Sequence, residues 1–233
     1  MFDPLVGLNE YGIIPARETV EFAVGVDLGK QQDFTAISVI EKRIKPVLLD
    51  EAGAVDSATL RQRVKPPRYT VRWAERLPLG VDYVEQGRRV AQIMVNPAIR
   101  GASLVVDMTG VGRAVVDIFR CDFGLKLTGV TITSGRNVTE DPNGMDFGVP
   151  KMDLVSCLQA AFTRGYLVIA QGIPDRQVLA AEFGDFQVKL TDAGTITTGT
   201  RSGSHDDLLL STACALWKLT RTGGRVTRQE FLV

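Results

Sequence analysis

An α/β fold, built on a mixed β-sheet whose first strands are antiparallel and later ones parallel, with helices on its faces, follows from three observations. Between Phe22 and Glu75 three β-branched or aromatic runs follow one another with no helical period. From Tyr83 onward the pattern alternates between helical and extended runs. The chain then closes on a helix-like stretch from about His205 to Thr220.

In order, residues 1–20, with Gly7, Gly12 and Pro15, read as a lead-in to a domain spanning 21–222, and 223–233 as a tail. Phe22, Val24 and Val26 alternate with Ala23, Gly25 and Asp27, so one strand face is bulky and the other is small and ends in a carboxylate. Thr35 to Ile40 and Arg68 to Glu75 complete an antiparallel trio, the latter after a polar loop with Pro66-Pro67. Tyr83, Gly87, Val90, Ala91 and Met94 keep helical spacing up to Pro97, and Ser103 to Val106 is a short apolar run suited to a strand buried on both faces. Val111, Ala114, Val115, Ile118 and Phe119 give an amphipathic helix, and Leu125 to Thr133 a strand, which together make a βαβ unit.

Ser134 to Pro150 reads as a loop, with Pro150 at a helix entrance. Leu154, Val155, Leu158, Ala161 and Phe162 then form one apolar helix face, with Gly165 as the stop. Gln187 to Gly199 reads as a hairpin turning at Asp192-Ala-Gly194.

Composition narrows the function classes. With 233 residues, 45% hydrophobic and 23% charged, the chain can bury a sizeable core. No apolar stretch approaches the roughly 18 to 20 residues of a membrane span, and Met1-Phe-Asp-Pro-Leu5 lacks the basic start and apolar core of a signal peptide, so the expected compartment is cytoplasmic. Basic and acidic residues balance at 27 each, which argues against an indiscriminate nucleic-acid binder. Two basic clusters, Arg61, Arg63, Lys65, Arg68 and Arg72, and Arg221, Arg225 and Arg228, suit either phosphate contacts or a solvated face. Cys121, Cys157 and Cys214 have no metal-ligand spacing and read as small core residues.

Acidic residues carry the chemistry. Asp27 ends the first strand before Leu28-Gly29, Asp107 ends the run Leu104-Val-Val-Asp107, and Asp206-Asp207 open the closing helix. Alone, each has a structural job available: a turn carboxylate at Asp27, a carboxylate bonding the amides of the next helix start at Asp107, and a capping box from Ser204 to Asp207. If the strands lie side by side with the helix across them, the carboxylates converge, and such a cluster is stable only when protonated or holding cations. That arrangement fits metal-dependent phosphoryl transfer. All-oxygen donors suit Mg²⁺ or Mn²⁺, whereas zinc recruits His or Cys, and the chain has one histidine, His205.

Gly25-Val-Asp-Leu-Gly29, Val105-Val-Asp-Met-Thr-Gly-Val-Gly112, Val149-Pro-Lys-Met-Asp-Leu154 and Ser204-His-Asp-Asp-Leu208 resemble, in order, the motifs of the nuclease domain of tailed-bacteriophage large terminase subunits. That domain belongs to the ribonuclease H-like superfamily. The resemblance spans roughly Glu21 to Thr220 and implies that Asp27, Asp107 and Asp206, with Asp207 beside them, hold two Mg²⁺ or Mn²⁺ ions that cut double-stranded viral concatemers during packaging. It implies an auxiliary role for Lys151. His205, by its own chemistry, could orient a carboxylate or assist proton transfer, or serve only at the helix start. The resemblance also implies a packaging ATPase domain, a small terminase subunit and a capsid portal as partners. The motor's phosphate-cradling pattern is missing: Gly25 to Lys30 has three residues between its glycines and Gln31 where a hydroxyl is needed. Other readings of the same segments are an actin-like or sugar-kinase-type ATP-binding fold, a junction resolvase of the same superfamily, and a docking domain without chemistry.

Overall fold

The computed structural model describes residues 18–29, 33–45, 66–111, 113–185 and 205–221, and the backbone of four short strands at 7–9, 12–14, 187–190 and 196–199. The lead-in contains β1 (Gly7–Asn9) and β2 (Gly12–Ile14), an antiparallel pair. β3 (Thr19–Asp27), β4 (Ala36–Ile44) and β5 (Arg68–Arg76) then form the expected antiparallel trio, β3 starting two residues before the domain boundary read from sequence. α1 (Tyr83–Met94), β6 (Ser103–Asp107), α2 (Arg113–Cys121) and β7 (Leu127–Thr133) follow; β6 lies parallel to both β3 and β7, so β6, α2 and β7 make the βαβ unit.

The expected loop at Ser134 to Pro150 is a correction. It contains β8 (Thr139–Glu140) and β9 (Asp146–Pro150), and β9 pairs parallel with β7 inside the main sheet. Glycine conceals it: a Cβ on Gly148 would stand 2.5 Å from the Thr139 hydroxyl, so the strand needs a residue that ordinarily marks a turn. α3 (Lys151–Thr163) starts directly after Pro150 and stops before Gly165, whose φ of 69° admits few other residues. Phe162 is half exposed and rests on Phe183 instead of joining the core face expected for it.

Residues without an assignment above form β10 (Leu167–Ile169), parallel to β5 at the sheet edge, and α4 (Arg176–Asp185). β11 (Gln187–Leu190) and β12 (Ile196–Gly199) are the expected hairpin, its turn lying outside the described residues. α5 (Asp207–Arg221) closes the fold. The main sheet has eight strands in the order β10-β5-β4-β3-β6-β7-β9-β8.

Two buried clusters, one on each face of the sheet, show that the β3 alternation reads as expected. Val24 and Val26 pack with Val90 of α1 and Val116 and Phe119 of α2. Ala23 lies on the other face with Leu158 of α3, Leu179 of α4 and Leu208 and Leu216 of α5. Small residues there let α5 lie close: a Cβ on Gly25 would stand 1.9 Å from the Ser211 carbonyl oxygen. α5 is buried nearly all round, so its hydroxyls are paired, Ser38 Oγ standing 2.8 Å from Ser211 Oγ and 2.9 Å from Thr212 Oγ1. At the far end, Lys42 Nζ donates to the Leu219 carbonyl at 2.8 Å. Each buried leucine of α5 contributes about 1.5–3 kcal/mol, against about 0–1 kcal/mol for a surface ion pair, so apolar burial sets where this helix lies.

The cysteine expectation holds for one of three: Cys214 is buried, Cys157 is half-buried and Cys121 is exposed. Among the described residues no helix is long and apolar enough to cross a membrane.

Candidate metal centre

Strand register brings the first two acids together. Asp27 and Asp107 are direct partners across the parallel β3–β6 pair, and each ends its strand. Side chains two apart share a face. Asp27 is therefore on the Ala23 and Gly25 side and Asp107 on the Val105 side, which is the side covered by α5.

α5 supplies the remaining pair at its start. Asp207 is the first helical residue, not the third as the capping-box reading had it, and Ser204 lies outside the described residues. The Leu210 amide bonds the Asp206 carbonyl at 2.8 Å, while the Leu209 amide is taken by a carboxylate from another helix, Glu182 Oε2, at 2.8 Å. Besides Arg76 of β5, the sequence reading missed Glu182, buried in α4. Its only local signal is a charge within a weakly patterned helix.

Electrostatics show the carboxylates sensing one another. Burial pushes the Asp27 carboxyl well above the ordinary range, and the charges of Asp107, Asp207, Asp206 and Glu182 push it further. Asp107 is buried and also raised, although the Thr109 amide, 2.8 Å from Oδ1, and the Lys151 charge oppose the rise. That amide lies in the turn ahead of α2, which begins at Arg113, and not at the helix start expected to engage Asp107. Burial raises Asp207 as well, against the pull of Arg76 and His205. Glu182 is pushed up to about 7 by burial, opposed by the Leu209 amide and Arg76.

Cations already stand at this end of the sheet. Lys151 Nζ, at the first residue of α3, lies 3.2 Å from Asp206 Oδ2, so this predicted auxiliary residue does join the acids. Arg76, from the end of β5, lies 2.5 Å from Glu182 Oε1 and 3.6 Å from Asp207 Oδ2. His205 Nδ1 is 3.7 Å from the same Asp207 oxygen, and its ring meets the Phe34 ring edge-on at 5.3 Å. Asp207 Oδ2 is nonetheless buried without a hydrogen bond.

Among the described residues no group of three or more His, Cys, Asp or Glu side chains is placed so that it could hold a metal ion as it stands. The donor chemistry nonetheless fits hard divalent cations: carboxylate oxygens raised by burial and mutual repulsion, and one buried oxygen lacking a donor. The basic clusters are described only in part. Arg72 pairs with Glu41 at 2.9 Å, Arg221 stacks 5.0 Å from the Trp217 ring, and Arg61, Arg63, Lys65, Arg225 and Arg228 lie outside the described residues.

No family model and no curated protein sequence matches the chain. Solved structures do. The large terminase nuclease of thermophilic phage G20c with bound magnesium aligns over 92% of this chain and 95% of its own, with a TM-score of 0.56 and 19% identity. The same nuclease with bound cobalt aligns over 84% and 80%, with a TM-score of 0.56 and 20% identity. The large terminase nuclease domain of Thermus phage P74-26 aligns over 84% and 78%, with a TM-score of 0.53 and 18% identity. With an eight-stranded mixed sheet between two helical layers, this polypeptide has the ribonuclease H-like fold of phage large-terminase nuclease domains.

Proposed function

We propose that this chain is a metal-dependent DNA endonuclease that cuts concatemeric viral DNA during genome packaging. The observation that carries the reading is the register pairing of Asp27 with Asp107 beneath the start of the helix that bears Asp206 and Asp207. Two structures of the same fold carry bound magnesium or cobalt, which supports a divalent cation as the bound group.

In this reading Asp27, Asp107 and Asp206, with Asp207 beside them, hold two Mg²⁺ or Mn²⁺ ions. When bound, such a pair activates a water and stabilises the leaving oxygen of a phosphodiester. The chain's own residues do the rest. Asp27 and Asp107 supply charge from a rigid sheet, so little reorganisation is needed as the reaction proceeds. Lys151 offsets part of that charge and holds Asp206 on the side facing α3. His205 is partly exposed beside Asp207, placed to orient that carboxylate or to pass a proton to solvent. Contacts to DNA would fall mainly on backbone phosphates, giving slight sequence preference.

Double-stranded DNA is the proposed substrate, with a packaging ATPase domain, a small terminase subunit and a capsid portal as partners in the host cytoplasm. Gly25 argues against the ATP-binding alternative, because its missing side chain makes room for α5. The test is plasmid cleavage with Mg²⁺, Mn²⁺ or chelator. Nicking with either ion and none with chelator is expected; tight ATP binding without cleavage would favour the kinase-like reading.

A further inference from the structure

We infer that Glu182 withholds the Arg76 guanidinium from Asp207 and thereby keeps that carboxylate open to a divalent ion. This rests on the two-ion reading above and assigns a positioning role to a residue outside the proposed ligand set.

Geometry carries the inference. Arg76 stands between two carboxylates and is committed to one, 2.5 Å from Glu182 but 3.6 Å from Asp207, beyond hydrogen-bond range. The guanidinium carbon lies 5.0 Å from the Phe34 ring centroid, its Nε is buried without a hydrogen bond, and the Arg76 backbone amide donates to Asp175 Oδ2 at 2.7 Å. Glu182 is only 3% exposed and uses both oxygens, one on Arg76 and the other on the Leu209 amide. It therefore anchors the first turn of α5 and the arginine with one carboxylate. Asp207 Oδ2, facing Arg76 and His205, is left without a hydrogen bond.

A largely buried guanidinium that loses its charged partner is strongly destabilised. Without the Glu182 charge, its nearest remaining carboxylate is Asp207, and a shift of about 1 Å would complete a charge-assisted hydrogen bond there. A cation would then have to displace an arginine. A residue serving only as a helix cap has no such effect, since a neutral carbonyl in the same place still accepts the Leu209 amide.

The experiment is calorimetric titration of the full chain with MnCl₂, for wild type, Glu182→Gln, Arg76→Gln and the double variant, with circular dichroism and metal-free unfolding measured in parallel. Glu182→Gln should weaken the looser Mn²⁺ site by about ten- to hundred-fold, as outer partners of metal ligands do. Removing the arginine as well should restore affinity to within roughly threefold of wild type, a non-additive rescue that a cap alone would not show. Unchanged affinity in Glu182→Gln, or a double variant no better than it, overturns the inference. If Glu182→Gln does not fold, Arg76→Gln decides: affinity equal to or above wild type supports the role, and a tenfold loss overturns it. A wild type that takes up no Mn²⁺ overturns the two-ion reading and this inference together.

Discussion

Asp27 and Asp107 stand opposite one another at the ends of adjacent parallel strands, on the sheet face that α5 covers. Neighbouring strands lie about 4.8 Å apart, so two ionised carboxylates in this position repel unless a proton or a cation lies between them.

Replacing Asp27, Asp107 or Asp206 singly with Asn should abolish Mn²⁺-dependent plasmid nicking. Metal-free stability should be equal or higher, because each change removes a repelling charge. Supercoiled-plasmid assays with circular dichroism check this; a variant that nicks at the wild-type rate takes its residue out of the centre.

Stability should depend on pH in a defined direction. Asp27 and Asp107 are raised, and Glu182 lies at about 7, so the folded state holds protons that the unfolded chain releases near pH 4. Without metal their contribution is most favourable below about pH 4 and declines as pH rises towards and through the folded values. Cations displace those protons, so saturating Mn²⁺ should raise the unfolding temperature more at pH 7.5 than at pH 5.5. Thermal melts at both pH values decide, and an equal gain would contradict the coupling.

Gly25→Ala places a methyl group 1.9 Å from the Ser211 carbonyl oxygen, which a backbone atom of a buried helix cannot easily evade. Urea unfolding should show a loss of about 1–3 kcal/mol. Nicking should fall more than stability alone explains, because moving α5 carries Asp206 and Asp207 away from Asp27.

Lys151→Ala separates charge from packing. Both members of its 3.2 Å pair with Asp206 are partly exposed, so stability should change by no more than about 1 kcal/mol. Cleavage should fall about tenfold or more if the lysine orders Asp206. Wild-type rates would assign it no role in cutting.

Arg120→Ala is the contrasting case. Arg120 lies 2.5 Å from buried Asp146 on β9, and Arg113, at 3.6 Å, is mostly exposed. Losing this partner should cost about 3 kcal/mol in urea unfolding. Mn²⁺ affinity, measured below the unfolding transition, should be unchanged.

Local patterns were sufficient for much of this molecule. The alternation in 22–27 told which strand face is small, the spacing from Val111 to Phe119 told of a helix between parallel strands, and Gly165 marked a helix stop. Each depends on the two or four nearest residues, which is the range over which backbone period and side-chain direction act. β9 escaped because Gly148 and Pro150, read locally as turn residues, are required there by a neighbouring strand. Asp27, Asp107, Asp206 and Asp207 could be named as candidates from their places at strand ends and a helix start. That Asp27 pairs with Asp107, that Asp207 opens α5, and that Arg76 joins Glu182 across 106 positions were decided only in three dimensions. Strand register and the seating of a buried helix are set by apolar packing over the whole sheet, and distant charges find their partners only after that packing has placed them.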